Sequence, residues 1–168
     1  TLAYVAVNSA PKNIIIDDAV VIDTFIHDSS LSSEGVFCDR YYPHLHEYLR
    51  GKGKPVLVHP VLYGFGFGYF SIYRRMRKSQ VNFIIQEDFL KLNDYLYALS
   101  FPFKSVFKTV IPGKLRGFNL VDIVREELNT LMSISSLEAC LIYRLFLRLA
   151  REGFKPGLII DWYENQPI

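Results

Sequence analysis

Residues 52–78 read KGKPVLVHPVLYGFGFGYFSIYRRMRK and contain the pattern that decides the fold. The apolar run Pro55 to Pro60 predicts a strand, with its four central residues between two prolines. A glycine-rich loop with Gly64, Gly66 and Gly68 comes next, and a basic helix is predicted from Tyr69 to Lys78. Strand, loop and helix in this order form a βα unit.

The same order recurs along the chain. Further strands are predicted at Leu2 to Val7, Ala19 to Ile26, Val81 to Ile85 and Leu158 to Ile160, with Asn13 to Ile16 as an additional candidate. Further helices are predicted at Tyr42 to Gly51, Glu87 to Leu99, Asn119 to Leu131 and Ser136 to Arg151. The strands lack strict polar–apolar alternation, which is typical of strands buried on both faces. The sequence therefore predicts a Rossmann-like, three-layer α/β domain, with a mostly parallel sheet and helices on both faces.

Several residues predict where elements end. Phe101-Pro102-Phe103 is expected to break the helix before it, and 101–118 to be a linker or an irregular excursion. Ser135 and Glu138 have the spacing of a capping box, and Gly153 is expected to end the last helix. We expect residues 1–168 to form a single α/β domain, since the length is that of one domain.

Composition excludes several classes of protein. Half of the chain is hydrophobic, which excludes a disordered segment, and the net charge of +2 argues against a dedicated nucleic-acid binder. Cys38 and Cys140 match no metal or redox spacing and indicate a reducing compartment. The apolar stretches are too short to cross a bilayer, and no secretion signal is expected. The expected location is therefore the cytoplasm.

The final residues suggest a longer protein. The strand at Leu158 to Ile160 opens into a polar string, and the sequence then stops at Ile168. We expect the chain to be an excised piece, the N-terminal lobe of a longer protein. The alternative is a trimmed N-terminus with a natural short tail.

The glycine-rich loop is the first candidate site. This site runs from His59 to Gly68, and its glycines at 64, 66 and 68 allow a ligand to approach the backbone closely. The helix that follows offers free N–H groups to an anion. The spacing is neither a dinucleotide fingerprint nor a phosphate-binding P-loop. Binding of phosphate or sugar is one interpretation, and a flexible structural loop is the other.

Four cations in five positions are the second candidate: Arg74, Arg75, Arg77 and Lys78. They cannot share one helix face, so part of the run is expected to be solvated. The functional alternatives are neutralisation of a diphosphate, by Arg74 or Arg75, and peripheral contact with anionic lipid.

Residues 161–166, DWYENQ, are the third candidate. Asp161 or Glu164 is suited to act as general base for a sugar hydroxyl. Three further side chains are suited to bind a sugar: Trp162, Asn165 and Gln166. The alternative is a strand end whose polar residues cap the next helix. Asp39 either favours a helix N-terminus or lies near the ligand crevice.

No metal site or cofactor site is predicted. His44, His46 and Glu47 lack the HExxH spacing, and His27-Asp28 stands alone, so zinc is not expected. The chain contains neither a GxSxG serine motif nor a DxD triplet.

Three stretches carry a resemblance to a known group of proteins. Residues 37–43 (FCDRYYP) and 51–60 (GKGKPVLVHP) resemble the first half of bacterial surface-carbohydrate biosynthesis proteins of the glycosyltransferase type, which make O-antigen or capsule. Residues 161–166 are similar to a Trp/Tyr/Phe-Glu-Asn-Gln segment of the same group. The resemblance implies an enzyme with two Rossmann-like lobes that uses a nucleotide-activated sugar without an obligatory metal.

Under that resemblance the chain is mainly one lobe, and a second lobe is expected beyond Ile168. One lobe cannot enclose donor and acceptor together. The expected partners are a nucleotide sugar and a carbohydrate acceptor, with the protein in the cytoplasm or at the inner membrane face. The alternatives are a non-enzymatic domain that binds a sugar phosphate or nucleotide, and an assembly module that contacts a membrane or partner.

Overall fold

The structure is a computed structural model, and it describes residues 16–62, 68–106, 114–115, 118–119 and 134–161. The chain divides into two compact units. The first comprises Thr1–Asp88 and Ala150–Ile168, and the second comprises Phe89–Leu149. The strands are β1 (Val20–Ile26), β2 (Val56–Leu62), β3 (Asn82–Phe83), β4 (Lys114–Leu115), β5 (Phe118–Asn119) and β6 (Leu158–Ile160). The α-helices are α1 (Leu45–Gly51), α2 (Tyr69–Lys78), α3 (Leu92–Val106) and α4 (Ile134–Arg151), and Asp28–Ser30 and Gln86–Asp88 are short 3₁₀ helices.

The first unit is built on a four-stranded sheet in the order β3-β2-β1-β6, with every pair parallel. One face of the sheet packs against two helices. Val20, Ile22 and Val56 contact Tyr42, Leu45 and Leu49 in and before α1, whereas Ile26, Val58 and Phe83 contact Ile72, Tyr73 and Met76 of α2. On the opposite face Val21, Leu57 and Ile84 are fully buried. Burial on both faces explains the strands without alternation, and the predicted Rossmann-like α/β fold is confirmed.

Strand β2 continues beyond its predicted end at Pro60 and reaches Leu62. Val58 accepts a hydrogen bond from the Ile84 N–H (2.8 Å), so its backbone groups face β3. Pro60 lies two residues later and faces the same side, where β3 pairs only with Leu57 and Val58. Proline therefore removes no ladder hydrogen bond here, and the strand can run through it.

Two helices begin later than predicted. Helix α1 starts at Leu45 because residues 39–42 form a turn fixed by Asp39, and His44 has a left-handed φ of 62°. Helix α3 starts at Leu92, after the short 3₁₀ helix, and it continues through Pro102 to Val106. The prediction that Pro102 ends this helix is wrong. One missing N–H removes one backbone bond, and the remaining bonds of a 15-residue helix extend past it.

The second unit contains α3, most of α4 and the antiparallel pair β4–β5. Asp94 joins the two helices and is fully buried. Its carboxylate accepts hydrogen bonds from Arg144 Nε (2.6 Å) and Arg148 Nε, and from the Lys91 N–H (2.8 Å). Residues 101–118 thus include a helix end and β-structure where the sequence predicts a linker or excursion.

The last helix matches the sequence pattern at one end. Helix α4 begins at Ile134, one residue before Ser135, so Ser135 is not its N-cap. Gly153 follows the helix with φ 92°, and its N–H donates to the Ala150 carbonyl (3.1 Å). This is the helix end predicted at Gly153. The predictions at 2–7, 13–15 and 120–131 lie outside the described residues.

Gly35 provides a stability prediction. Its φ is 85°, and a Cβ added there would lie 2.9 Å from the Ser79 backbone nitrogen at the end of α2. We expect Gly35→Ala to lower the free energy of unfolding by about 2 kcal/mol or more, because left-handed strain and a backbone clash add together. Gly53→Ala is the matched control, since φ is 73° and the added Cβ meets open space; it should cost about 1 kcal/mol. Urea denaturation measures both, and equal losses would contradict the close approach.

Candidate ligand-binding crevice

The strand order predicts a ligand crevice between β1 and β6. The chain moves from β1 to β2 and β3 on one side, and then returns to the other side of β1 with β6. The order therefore reverses between β1 and β6. In open parallel sheets, ligands bind outside the carboxyl ends of the strands at such a switch point.

A row of polar side chains crosses the sheet beside this point. Asp23 of β1 pairs with His59 of β2, and His59 Nδ1 lies 3.1 Å from Asp23 Oδ1. On the other side, Asp161 follows the last β1–β6 pair, Ile22 with Ile160, and is therefore abreast of Asp23. His59 is buried, the Asp23 side chain is 28% exposed, and Asp161 is exposed. The row thus runs from the sheet interior out to solvent.

Asp39 holds the turn that borders the crevice. Its Oδ1 accepts hydrogen bonds from Thr24 Oγ1 (3.1 Å) and from the N–H groups of Tyr41 (2.8 Å) and Tyr42 (3.0 Å). The residue is 4% exposed, and the bond to Thr24 ties the turn to β1. Asp39 is therefore a positioning residue: it fixes where Tyr41 and Tyr42 lie.

The turn lies on the side of β1 that faces β6. It touches Thr24 on one face of β1, and the Tyr41 ring contacts Phe25 on the other, with centroids 5.6 Å apart. Strand β2 covers its own side of β1 as far as Ile26, whereas in the described residues β6 pairs with β1 only as far as Ile22, so the turn lies on the β6 side. Tyr41 also stacks on His27, with centroids 6.2 Å apart and Tyr41 Oη 3.4 Å from His27 Nε2. These half-buried rings form an aromatic wall of the crevice.

The crevice is acidic. The pKa of Tyr42 is raised above its usual value, first by burial and then by the carboxylates of Asp161, Asp39 and Asp23. All three carboxylates therefore act on the same phenol, which stays protonated at neutral pH. Carboxylates accept hydrogen bonds, so the arrangement favours a ligand with several hydroxyl donors. Among the residues that the structure describes, no three His, Cys, Asp or Glu side chains are grouped to hold a metal ion.

The residues of the glycine-rich site are only partly described. His59 is buried against Asp23, and Gly68 is the N-cap of α2 with φ −77°. Gly64 and Gly66 lie outside the described residues. The carboxyl end of β2 and the N-terminus of α2 lie at the same end of the sheet as the crevice, where the parallel strands finish. Strand β1 lies between β2 and β6.

The four cations of α2 fall into two groups. Arg75 donates to the carbonyls of Asp28 (3.0 Å) and Leu31 (2.6 Å) and pairs with the Asp28 carboxylate. Arg77 pairs with Asp88. These contacts support a structural role for Arg75, which ties the loop after β1 to α2.

The other two cations are exposed. Arg74 and Lys78 follow the exposed Phe70 at intervals of four, so these three residues form one stripe on α2. Contact of this stripe with a diphosphate or with lipid stays a prediction.

Only one residue of the third site is described. Asp161 is exposed at the carboxyl end of β6. Glu164, Trp162, Asn165 and Gln166 lie outside the described residues. The placement of Asp161 beside Asp23 supports this segment as part of the crevice.

Sequence reasoning missed the residues that β1 itself supplies. Asp23, Phe25 and His27 alternate along the end of β1, and Tyr41 covers the last two. Asp23 interrupts an apolar run, which is the signal that could have identified it. Tyr41 has no comparable signal, because its position depends on the bond between Asp39 and Thr24.

Comparisons with known proteins do not extend this description: no protein family, no curated protein and no solved structure matches the chain. None of the helices in the described ranges is long and apolar enough to cross a membrane.

Proposed function

We propose that the chain is a glycosyltransferase-type domain of bacterial surface-polysaccharide biosynthesis, and that it binds a nucleotide-activated sugar or its acceptor in the crevice between β1 and β6. The observation that carries the proposal is the row of Asp161, Asp23 and His59 at the switch point of the sheet. The resemblance of residues 161–166 to the sugar-transfer group is a separate support from sequence.

The chemistry of the crevice suits a sugar. Hydroxyl groups donate to carboxylates, and Asp23 and Asp161 both have exposed surface for such bonds. A planar base or the apolar face of a sugar ring can stack on an aromatic side chain, and Tyr41 is held in place for this by Asp39 and His27. Aromatic side chains together with a few placed polar groups are typical of small-molecule sites.

In the proposed reaction Asp161 or Glu164 removes the proton of an acceptor hydroxyl. The acceptor oxygen then forms a bond to the anomeric carbon of the donor sugar, and the bond between that carbon and the diphosphate oxygen breaks. The departing nucleoside diphosphate carries the electron pair and is stabilised by loop 64–68, the N-terminus of α2 and Arg74. A second lobe, beyond Ile168, would enclose the donor and acceptor.

Ligand stabilisation tests the binding step. We expect UDP-, GDP-, CMP- or TDP-linked sugar to raise the melting temperature of the complete gene product, since a ligand at a hundredfold excess over its Kd adds about 2.7 kcal/mol. Tyr41→Ala should weaken binding by about tenfold, because it removes a stacking surface worth roughly 1–3 kcal/mol. Tyr48→Ala is the matched control, since Tyr48 is exposed on α1.

A flat response to all four classes of nucleotide sugar would contradict the proposal. Equal weakening by Tyr41→Ala and Tyr48→Ala would show binding elsewhere. Binding without any transfer by the complete gene product would favour the sensor alternative over the enzyme.

A further inference from the structure

A cavity opens at the opposite end of the sheet from the crevice, where strands β2 and β3 begin. Its volume is about 340 Å³. The polar residues that line it are His46 and Arg50 of α1, Lys54 before β2, Gln80 before β3, and Asn82 of β3. The crevice lies at the carboxyl ends of the strands, and the cavity lies at their amino ends, so the two sites share none of these residues.

The cavity is rich in hydrogen-bond donors. Arg50 is exposed, and its side chain lines the cavity. Lys54 Nζ lies 3.3 Å from Asp18 Oδ2, an exposed pair that leaves further ammonium protons available. Gln80 and Asn82 add side-chain amides. Two cations against one carboxylate leave a net charge of +1, which favours an anion.

His46 supplies an independent observation. It lines the cavity, is only 6% exposed, and packs on Phe37 with ring centroids 5.2 Å apart. Its Nδ1 is buried and has no hydrogen-bond partner among the described residues. Burial also lowers the pKa of this imidazole, so the ring is neutral at pH 7. An unsatisfied buried polar atom costs stability, and this one belongs to a residue that lines the cavity.

We propose that this cavity binds a small organic phosphate. Phosphate oxygens accept hydrogen bonds, and the guanidinium, ammonium and amide groups named above donate them. The volume is in the range of small-molecule sites, which leaves space for a group such as a pentose attached to the phosphate.

Titration with inorganic phosphate, ribose 5-phosphate and ribose tests the proposal. Nuclear magnetic resonance of the His46 ring and isothermal titration calorimetry are the readouts, with sodium chloride added to match ionic strength. We expect saturable shifts at His46 with both phosphates, tighter binding of ribose 5-phosphate, and no response to ribose. Arg50→Ala should weaken phosphate binding by roughly tenfold, since it removes charged hydrogen bonds.

Arg151→Ala is the matched control, because Arg151 is exposed and does not line the cavity. Gln80→Ala is a second test, in case Arg50→Ala alters folding. Absence of saturable binding, or binding unchanged in both Arg50→Ala and Gln80→Ala, would overturn the proposal. If inorganic phosphate binds saturably and ribose 5-phosphate binds no more tightly, the proposal of an organic phosphate is overturned. The readout is at His46, so its result is independent of nucleotide-sugar binding beside Tyr41.

Discussion

Replacement of Asp94 by alanine is expected to lower the free energy of unfolding by about 3–5 kcal/mol. Asp94 is fully buried and accepts hydrogen bonds from Arg144 and Arg148 of α4 and from the Lys91 backbone. Its removal leaves two largely buried guanidinium groups without their counter-ion, and loss of one partner of a buried ion pair costs this much. Urea denaturation at pH 7 measures the change.

The same carboxylate predicts the response to acid. Burial raises the pKa of Asp94, but hydrogen bonds from Arg148, the Lys91 N–H and Arg144, together with the charge of Arg148, outweigh it and lower the pKa to about 2. A carboxyl with a lowered folded-state pKa stabilises the protein above its unfolded pKa near 3.8, and this stability is lost as the pH falls toward about 2. The lowered pKa of Asp94 contributes about 2.5 kcal/mol to the free energy of unfolding at neutral pH.

Asp28→Ala is the control for Asp94→Ala. It removes an exposed partner of Arg75 and should cost less than about 1 kcal/mol. Equal costs for Asp94→Ala and Asp28→Ala would contradict the assignment.

The second large effect concerns turnover. In the complete gene product, Asp161→Asn is expected to reduce sugar transfer by about 10²–10⁴-fold if Asp161 is the general base. The amide keeps the size of the side chain but cannot take a proton. The melting temperature should not change, because Asp161 is exposed.

Glu164→Gln is the parallel test for the other candidate base, and Glu152→Gln, an exposed residue after α4, is the control. One of the two candidate variants should lose activity while Glu152→Gln keeps it. Full transfer by both Asp161→Asn and Glu164→Gln would remove these carboxylates from the reaction.

Periodicity and local turn chemistry predicted several elements of the described residues. The apolar run at Val20–Ile26 is a strand because its residues are buried on both faces, and Gly153 ends α4 with a positive φ. Local rules failed at Pro60 and Pro102. Pro60 faces the β3 side of β2, but β3 pairs only with Leu57 and Val58, so no ladder bond is lost there. This depends on the length of the neighbouring strand and not on the local sequence.

The site was less predictable than the fold. The sequence predicts Asp161 at a strand end. The proximity of Asp161 to Asp23 depends on β6 lying beside β1, which no local pattern specifies. The sequence predicts Asp39 near the crevice, yet the role of Asp39 depends on Thr24, 15 residues earlier in the chain. Strand order and contacts distant in sequence decide which polar residues meet, so they set the limit of sequence reasoning here.

The most direct test of the crevice between β1 and β6 is a resonance-by-resonance titration of the complete gene product with the nucleotide sugar that stabilises it most. We predict saturable shifts of the Tyr41 and His27 rings and of the His59 imidazole, all with one Kd. Saturable shifts elsewhere, with these three residues unchanged at full occupancy, would contradict a ligand site at the switch point of the sheet.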